Sequence, residues 1–214
     1  MLTVVKVGGG LDRIGALTRV CATLAELAER HRLRIVPGGA WFADAVREAD
    51  RRFALTDATA HRMAILGMEQ FGWLLSELIP GAERRGDLAP VNAGRTVVLL
   101  PAGLPLGSLP ASWQLTSDTI AAWVAREAGA GRLVLVKEID GLYADWPAEG
   151  APIARLTVAE LAGLRAAGRA AGVDEQLPKM LEEARLETWV ISGRDPARLV
   201  ELLDRGATAG TRVA

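Results

Sequence analysis

Lysine is the scarcest charged residue in this 214-residue chain: of 25 Lys plus Arg, only three are lysine. Cysteine occurs once, histidine twice and tyrosine once, and aromatic residues make up only 5%. A lone Cys21 excludes an internal disulfide, and its place in an apolar helical pattern makes it a core filler, in keeping with a reducing cytoplasm. His31, His61 and Cys21 lack metal-ligand spacing, which excludes a zinc site. A formal net charge of -1, with basic residues scattered rather than blocked, excludes nucleic acid as a partner. No apolar run approaches the ~20 residues a bilayer span needs, so no membrane partner is expected. The opening MLTVVKVGGG reads as a short strand rather than a signal segment.

Three nucleotide and hydrolase signatures are missing as well. No lysine follows a glycine, so the GxxxxGK[ST] phosphate loop is absent. A dinucleotide fingerprint beginning at Gly8 would need a third glycine where Arg13 stands, and the second strand runs into Pro37-Gly38 instead of an acidic residue. There is no GxSxG elbow.

What is present is an alternation of short apolar runs with longer helical periodicities, which predicts an α/β fold: a three-layer αβα sandwich around a central, mostly parallel sheet. Strands are expected at Leu2–Val7, Arg34–Val36, Thr96–Leu100, Arg132–Val136 and Thr188–Ile191, with a short extended piece near Thr211–Val213. Helices are expected at Ile14–Arg30, Trp41–Arg51, Asp57–Leu78, from Thr116-Ser117-Asp118 to Glu127, Val158–Arg165, Leu177–Leu186 and Pro196–Arg205. Thr116, Ser117 and Asp118 offer capping side chains, and Pro80–Arg95 reads as loop. The helix over Asp57–Leu78 carries apolar residues on more than one face, which predicts either a buried internal helix or a second subunit packed on it. The chain reads as one domain with two lobes in one continuous sheet, about 1–130 and 131–214.

Each lysine lies in a stretch suited to phosphate: Lys6 in VVKVGGG, Lys137 in LVLVKEIDGLY and Lys179 in DEQLPKMLEEA. Because arginine serves wherever a generic surface cation suffices, the retained lysines mark places that need a compact ammonium, and phosphoryl transfer is such a need. Strand, glycines, then helix recurs at Gly8–Gly10 and at Gly38-Gly39, a layout that offers backbone N–H groups to an anion.

In order along the chain, KVGGG, VPGG, SDTIAAWVA, KEIDGLY, the lysine of Lys179 and ISGRDP with a terminal Gly210-Thr211 resemble the amino acid kinase family over nearly the whole length. The resemblance implies ATP with Mg²⁺, an N-terminal acceptor lobe and a C-terminal nucleotide lobe. It implies that Lys6 and Lys179 bracket the transferring phosphoryl group and that Asp118 hydrogen-bonds both ammoniums. It further implies that Gly8, Gly9 and Gly10 meet the ATP phosphates, and that Lys137, Asp140, Gly141 and Tyr143 surround adenine and ribose. Gly38 and Gly39 would hold the acceptor, with Arg47, Thr116 and Ser117 as donors to its phosphate. One departure stands out: Gly10 replaces the usual Ser or Thr.

Length and the pieces VPGGAWFADAVREAD, ATAHRMAI and SWQLTSDTIAAW resemble most the small kinases of methanofuran-type cofactor biosynthesis, which phosphorylate an aminomethylfuran-methanol monophosphate to a diphosphate. On that likeness Asp44 or another carboxylate would meet the acceptor's ammonium, and similarity to the isopentenyl phosphate kinases implies that His61 touches the acceptor's phosphate. Isopentenyl phosphate or a nucleoside monophosphate is the alternative acceptor, and an oxyanion-storage protein on the same fold is the alternative of another class. A homodimer or higher oligomer through the helix near 57–78 is expected.

Overall fold

The computed structural model describes residues 1–92, 94–145, 150–169 and 172–214. Among the described residues eight strands form one sheet: β1 (Leu2–Val7), β2 (Arg32–Pro37), β3 (Glu83–Arg85), β4 (Thr96–Leu99), β5 (Arg132–Lys137), β6 (Arg155–Leu156), β7 (Glu187–Ser192) and β8 (Thr211–Val213). Their order is β3-β4-β2-β1-β5-β7-β8-β6, and every pairing is parallel except β7 with β8. Strands β1, β2, β5 and β7 are almost continuously buried, as central parallel strands covered on both faces must be.

The helices are α1 (Gly10–Arg13), α2 (Leu17–Ala28), α3 (Ala40–Phe53), α4 (Asp57–Leu78), α5 (Ser117–Glu127), α6 (Val158–Ala166), α7 (Leu177–Ala184) and α8 (Ala197–Arg205). Side chains alternate across a strand, so Val4, Leu133 and Leu135 meet α5, α6 and α7 on one face. Val5, Val7, Val134 and Val136 meet α2 and α8 on the other. Cys21 is buried in this second layer, where desolvation pushes its thiol up to about 12. It is the core filler its sequence setting predicts.

The many-sided apolar pattern of α4 has an internal cause. Ile65 and Met68 enter the first core layer, whereas Phe71 and Leu75 enter the second, so the helix serves both. Leu66 and Trp73 are left exposed. Two expectations are corrected. The helix expected over Ile14–Arg30 is shorter, running as α2 over Leu17–Ala28, because Gly15 at φ +64° keeps the chain out of helix between α1 and α2. The segment expected as loop over Pro80–Arg95 contains β3, an edge strand too short and too charged to show period-2 alternation. Likewise β6, two residues long, carries no readable period. Among the described residues no helix is long and apolar enough to cross a membrane.

Candidate active site

The site is set by strand register. Lys6 lies opposite Leu135 in the parallel pair β1·β5, two residues before Lys137. A two-residue offset returns to the same face, so both lysines project toward the α5 layer from the C-terminal ends of adjacent strands. Asp118, in the first turn of α5, stands between them. Its Oδ2 accepts a hydrogen bond from Lys137 Nζ at 2.7 Å, and its Oδ1 forms a close ion pair with Lys6 Nζ at 3.0 Å. Lys6 and Asp118 are buried, at 5% and 3% exposure.

Two cations on one anion leave a surplus positive charge in a place that water scarcely reaches. Burial pulls the Lys6 ammonium below its ordinary range, against the attraction of Asp118. Burial also opposes ionisation of Asp118, yet Lys137 and Lys6 together outweigh it and hold the carboxyl at about 2. An anionic ligand beside Lys6 would offset the desolvation of its ammonium.

A cavity of about 210 Å³ opens from these groups. Its wall includes Lys6, Gly8, Gly9, Gly10, Gly39, Arg47, Thr116, Ser117, Asp118 and Lys137, as well as Asp44 and His61. The two glycine turns interlock beside it. A Cβ on Gly9 would stand 2.3 Å from Ala40 Cα, and one on Gly38 would stand 3.0 Å from Gly9 N and 3.4 Å from Lys6 Cε, so only glycine admits this approach. Ala40, which opens α3 at the same place, is held at φ +47°, a left-handed conformation that costs a non-glycine residue roughly 1 kcal/mol.

Some expected donors are already engaged. Gly8 N–H donates to Val136 O and Gly38 N–H to Val7 O, leaving Gly9 and Gly10 as the first turn's backbone groups on the cavity wall. Arg47 donates to Asp44 at 2.8 Å and lies 5.0 Å over the Trp113 ring. Thr116 gives both its N–H and its hydroxyl hydrogen to Asp174. It caps no helix with its side chain, contrary to the sequence expectation. His61 is kept below its usual range by burial and faces the cavity as a neutral imidazole.

Lys179 requires a correction. The sequence places it with Lys6 on Asp118, but in the structure Lys137 holds that position, and Lys179 lines a separate groove with Ser108, Arg126 and Glu183. The cause is geometric: Lys137 ends the strand next to β1, whereas Lys179 lies within the first turn of α7. Asp140, Gly141 and Tyr143 also fall outside the cavity wall. Asp140 pairs with Arg198 at 3.0 Å, Gly141 packs on Thr211 and Pro152, and Tyr143 is buried.

Four wall or support residues escaped the sequence reading. Glu138 places its carboxylate where a side chain on Gly10 would go, since an added Cβ would meet it at 2.3 Å, and this gives the unusual Gly10 a physical reason. Arg13 spans Glu138 at 3.4 Å and Asp44 at 3.5 Å across the mouth. Trp113 is fixed by a 2.7 Å hydrogen bond from its indole N–H to Asp50. Asp174 is buried behind α5. A readable signal existed only for Glu138, in its adjacency to Lys137 at a strand end.

Comparison with known proteins places this geometry. The sequence pattern of the amino acid kinase family matches residues 1–192. The chain is 26% identical over 207 residues to a [5-(aminomethyl)furan-3-yl]methyl phosphate kinase of Methanocaldococcus jannaschii, covering 94% of this chain and 92% of that one. It is 25% identical to a uridylate kinase of Methanothrix thermoacetophila over 100% of this chain and 99% of that protein. Among solved structures, uridylate kinase from Archaeoglobus fulgidus superposes with a TM-score of 0.79 at 20% identity, over the full length of both chains.

Proposed function

The chain belongs to the amino acid kinase family and is a phosphotransferase, and we propose that it transfers the γ-phosphoryl group of ATP to the phosphate of a small monoester, giving a diphosphate. The acceptor we favour is [5-(aminomethyl)furan-3-yl]methyl phosphate, with isopentenyl phosphate or a nucleoside monophosphate as the alternative. The observation that carries this reading is the buried Lys6–Asp118–Lys137 bridge facing a cavity between two glycine turns.

An ionised phosphate oxygen of the acceptor attacks the γ-phosphorus while the bond from phosphorus to the β-γ bridging oxygen breaks, and ADP departs with that electron pair. The nucleophile is already anionic and needs no general base. Asp118, held at about 2, is correspondingly unsuited to be one and serves to aim the two ammoniums. Lys6 and Lys137 gather the charge that develops on the equatorial oxygens, the main catalytic task in phosphoryl transfer. Gly9 and Gly10 would meet the nucleotide phosphates, and the 131–214 lobe the nucleoside. Among the described residues no group of three metal-ligating side chains exists, so Mg²⁺ would be held chiefly by the phosphates it accompanies.

The acceptor would share this cavity of about 210 Å³ with the transferring phosphate. Ile65 and Met68 offer it an apolar wall, and Asp44 and Glu138 offer carboxylates to an ammonium. Subunit contact is part of the same reading. Leu66 and Trp73, seven positions apart on one face of α4, are exposed, and we assign this face to a second copy of the chain in the cytoplasm. The test is ADP release with a panel of the furan, isopentenyl and nucleoside monophosphates, with ³¹P NMR of the product. A new diphosphate from the furan acceptor alone is expected. ATP binding without turnover of any panel member would overturn the proposal.

A further inference from the structure

Asp174 lies far from the cavity wall in sequence and is absent from it in space, yet its carboxylate organises the segment that carries Asp118. It accepts five hydrogen bonds: from Thr116 N at 2.9 Å, Thr116 Oγ1 at 2.8 Å, Thr119 N at 3.0 Å, Thr119 Oγ1, and Leu177 N at 3.0 Å. The first four bind the opening turn of α5, and the fifth binds the opening turn of α7. One buried carboxylate thus takes the orphan N–H groups of two helices that β5, β6 and α6 separate in sequence.

We infer that Asp174 is a positioning residue for phosphoryl transfer, acting through α5 to hold Asp118 between its two lysines. This rests on the kinase reading above. Thr116 and Thr119, which it grips, flank Asp118 in sequence, and Thr116 and Ser117 also line the acceptor cavity. A second link runs alongside, from Gln176 N to Gln114 O at 3.3 Å, next to Trp113 of the cavity wall. The start of α7 is therefore tied to both the orienting carboxylate and the acceptor wall. An ordinary cap from residue 116 would hold α5 locally; a cap supplied from the 172–176 segment makes the aim of Asp118 depend on the C-terminal half.

Asp174→Asn keeps the side-chain shape but replaces one acceptor oxygen with a donor, so part of the grip on α5 is lost. Displacing a catalytic group by about an ångström costs on the order of 10²-fold in rate, so kcat should fall by about that factor at saturating substrates while KM for the acceptor stays within about twofold. Thr119→Val, which removes only the buried hydroxyl, should lower kcat about three- to tenfold by the same reasoning and keeps the test open if the first variant folds poorly. Thr157→Ala is the control: it removes the side chain that caps α6 through a capping box, a cap remote from the cavity, so it lowers stability but should leave kcat unchanged.

Hydrogen exchange of the Thr119 and Leu177 amides, read without any substrate, is the arm that does not need the reaction. In Asp174→Asn at least one of them should lose protection, because Thr119 N bonds Oδ2 and Leu177 N bonds Oδ1, and only one of these oxygens remains. If the wild type phosphorylates no monoester, the kinase reading fails while this arm still decides the grip of Asp174 on both helices. Asp174→Asn with wild-type kcat, a kcat loss matched by Thr157→Ala, or unchanged amide protection would each overturn the inference.

Discussion

Replacing Lys137 with Met separates the structural assignment from the one the sequence suggested. The substitution removes an ammonium 2.7 Å from Asp118 Oδ2 and leaves Lys6 3.0 Å from Oδ1. Breaking a buried ion pair outright costs about 3–5 kcal/mol, because a charge is left unpaired. Here the carboxylate keeps Lys6 as a partner and Lys137 is only partly buried, so the stability loss should be about 1–2 kcal/mol. The rate loss should be larger, about 10²–10³ in kcat or roughly 3–4 kcal/mol, the scale for one donor to a transition-state oxyanion. The assay is steady-state ADP release with calorimetric melting on the same samples, run beside Lys179→Met. Lys179 lines another groove, so its variant should stay within about tenfold of wild type, well short of the loss expected for a transition-state donor. A 10²-fold loss in Lys179→Met with Lys137→Met near wild type would refute the reasoning and restore the pairing expected from sequence.

Other outcomes follow from the same geometry. Gly9→Ala forces a Cβ to 2.3 Å from backbone at Ala40 and should cost about 2–3 kcal/mol by urea unfolding, whereas Gly10→Ala meets only the movable tip of Glu138 and should cost under about 1 kcal/mol. Ala40→Gly relieves the left-handed backbone and should be neutral or raise stability by up to about 1 kcal/mol in the same assay. The depressed Asp118 carboxyl contributes stability fully above its ordinary 3.8 and loses it as pH falls through about 2. The stability gap between wild type and Asp118→Asn should therefore shrink by on the order of 2 kcal/mol from pH 5 to pH 2. Trp73→Glu, on the exposed face of α4, should shift the sedimentation coefficient toward that of a monomer without changing the circular dichroism.

The sequence carried the central strands and most helices, because their signal is local periodicity: β1 and α4 fall on the residues predicted. It missed β3 and β6, whose three and two residues are too few for a period. Within the site, Lys6 and the glycine turns stood out by residue type at strand ends, whereas Asp118 was named through the resemblance to the family. The identity of the second cation was not. It depends on β5 lying next to β1, a long-range pairing that no window of sequence contains, and on a face parity that becomes meaningful only once the pairing is known. Asp174 was hidden for a related reason: its partners on α5 are 55 to 58 residues away, and in sequence it is one carboxylate among the 26 acidic residues.

Because both ammoniums issue from neighbouring strands of the central sheet, their repulsion is built in when the chain folds rather than when a ligand closes the site. Folding and anion capture then become one linked equilibrium: simple phosphate or sulfate that settles beside the lysines should raise the melting temperature, by an amount that follows the logarithm of its concentration. The native state is in this sense a charged spring, tensioned during folding and eased by its own substrate.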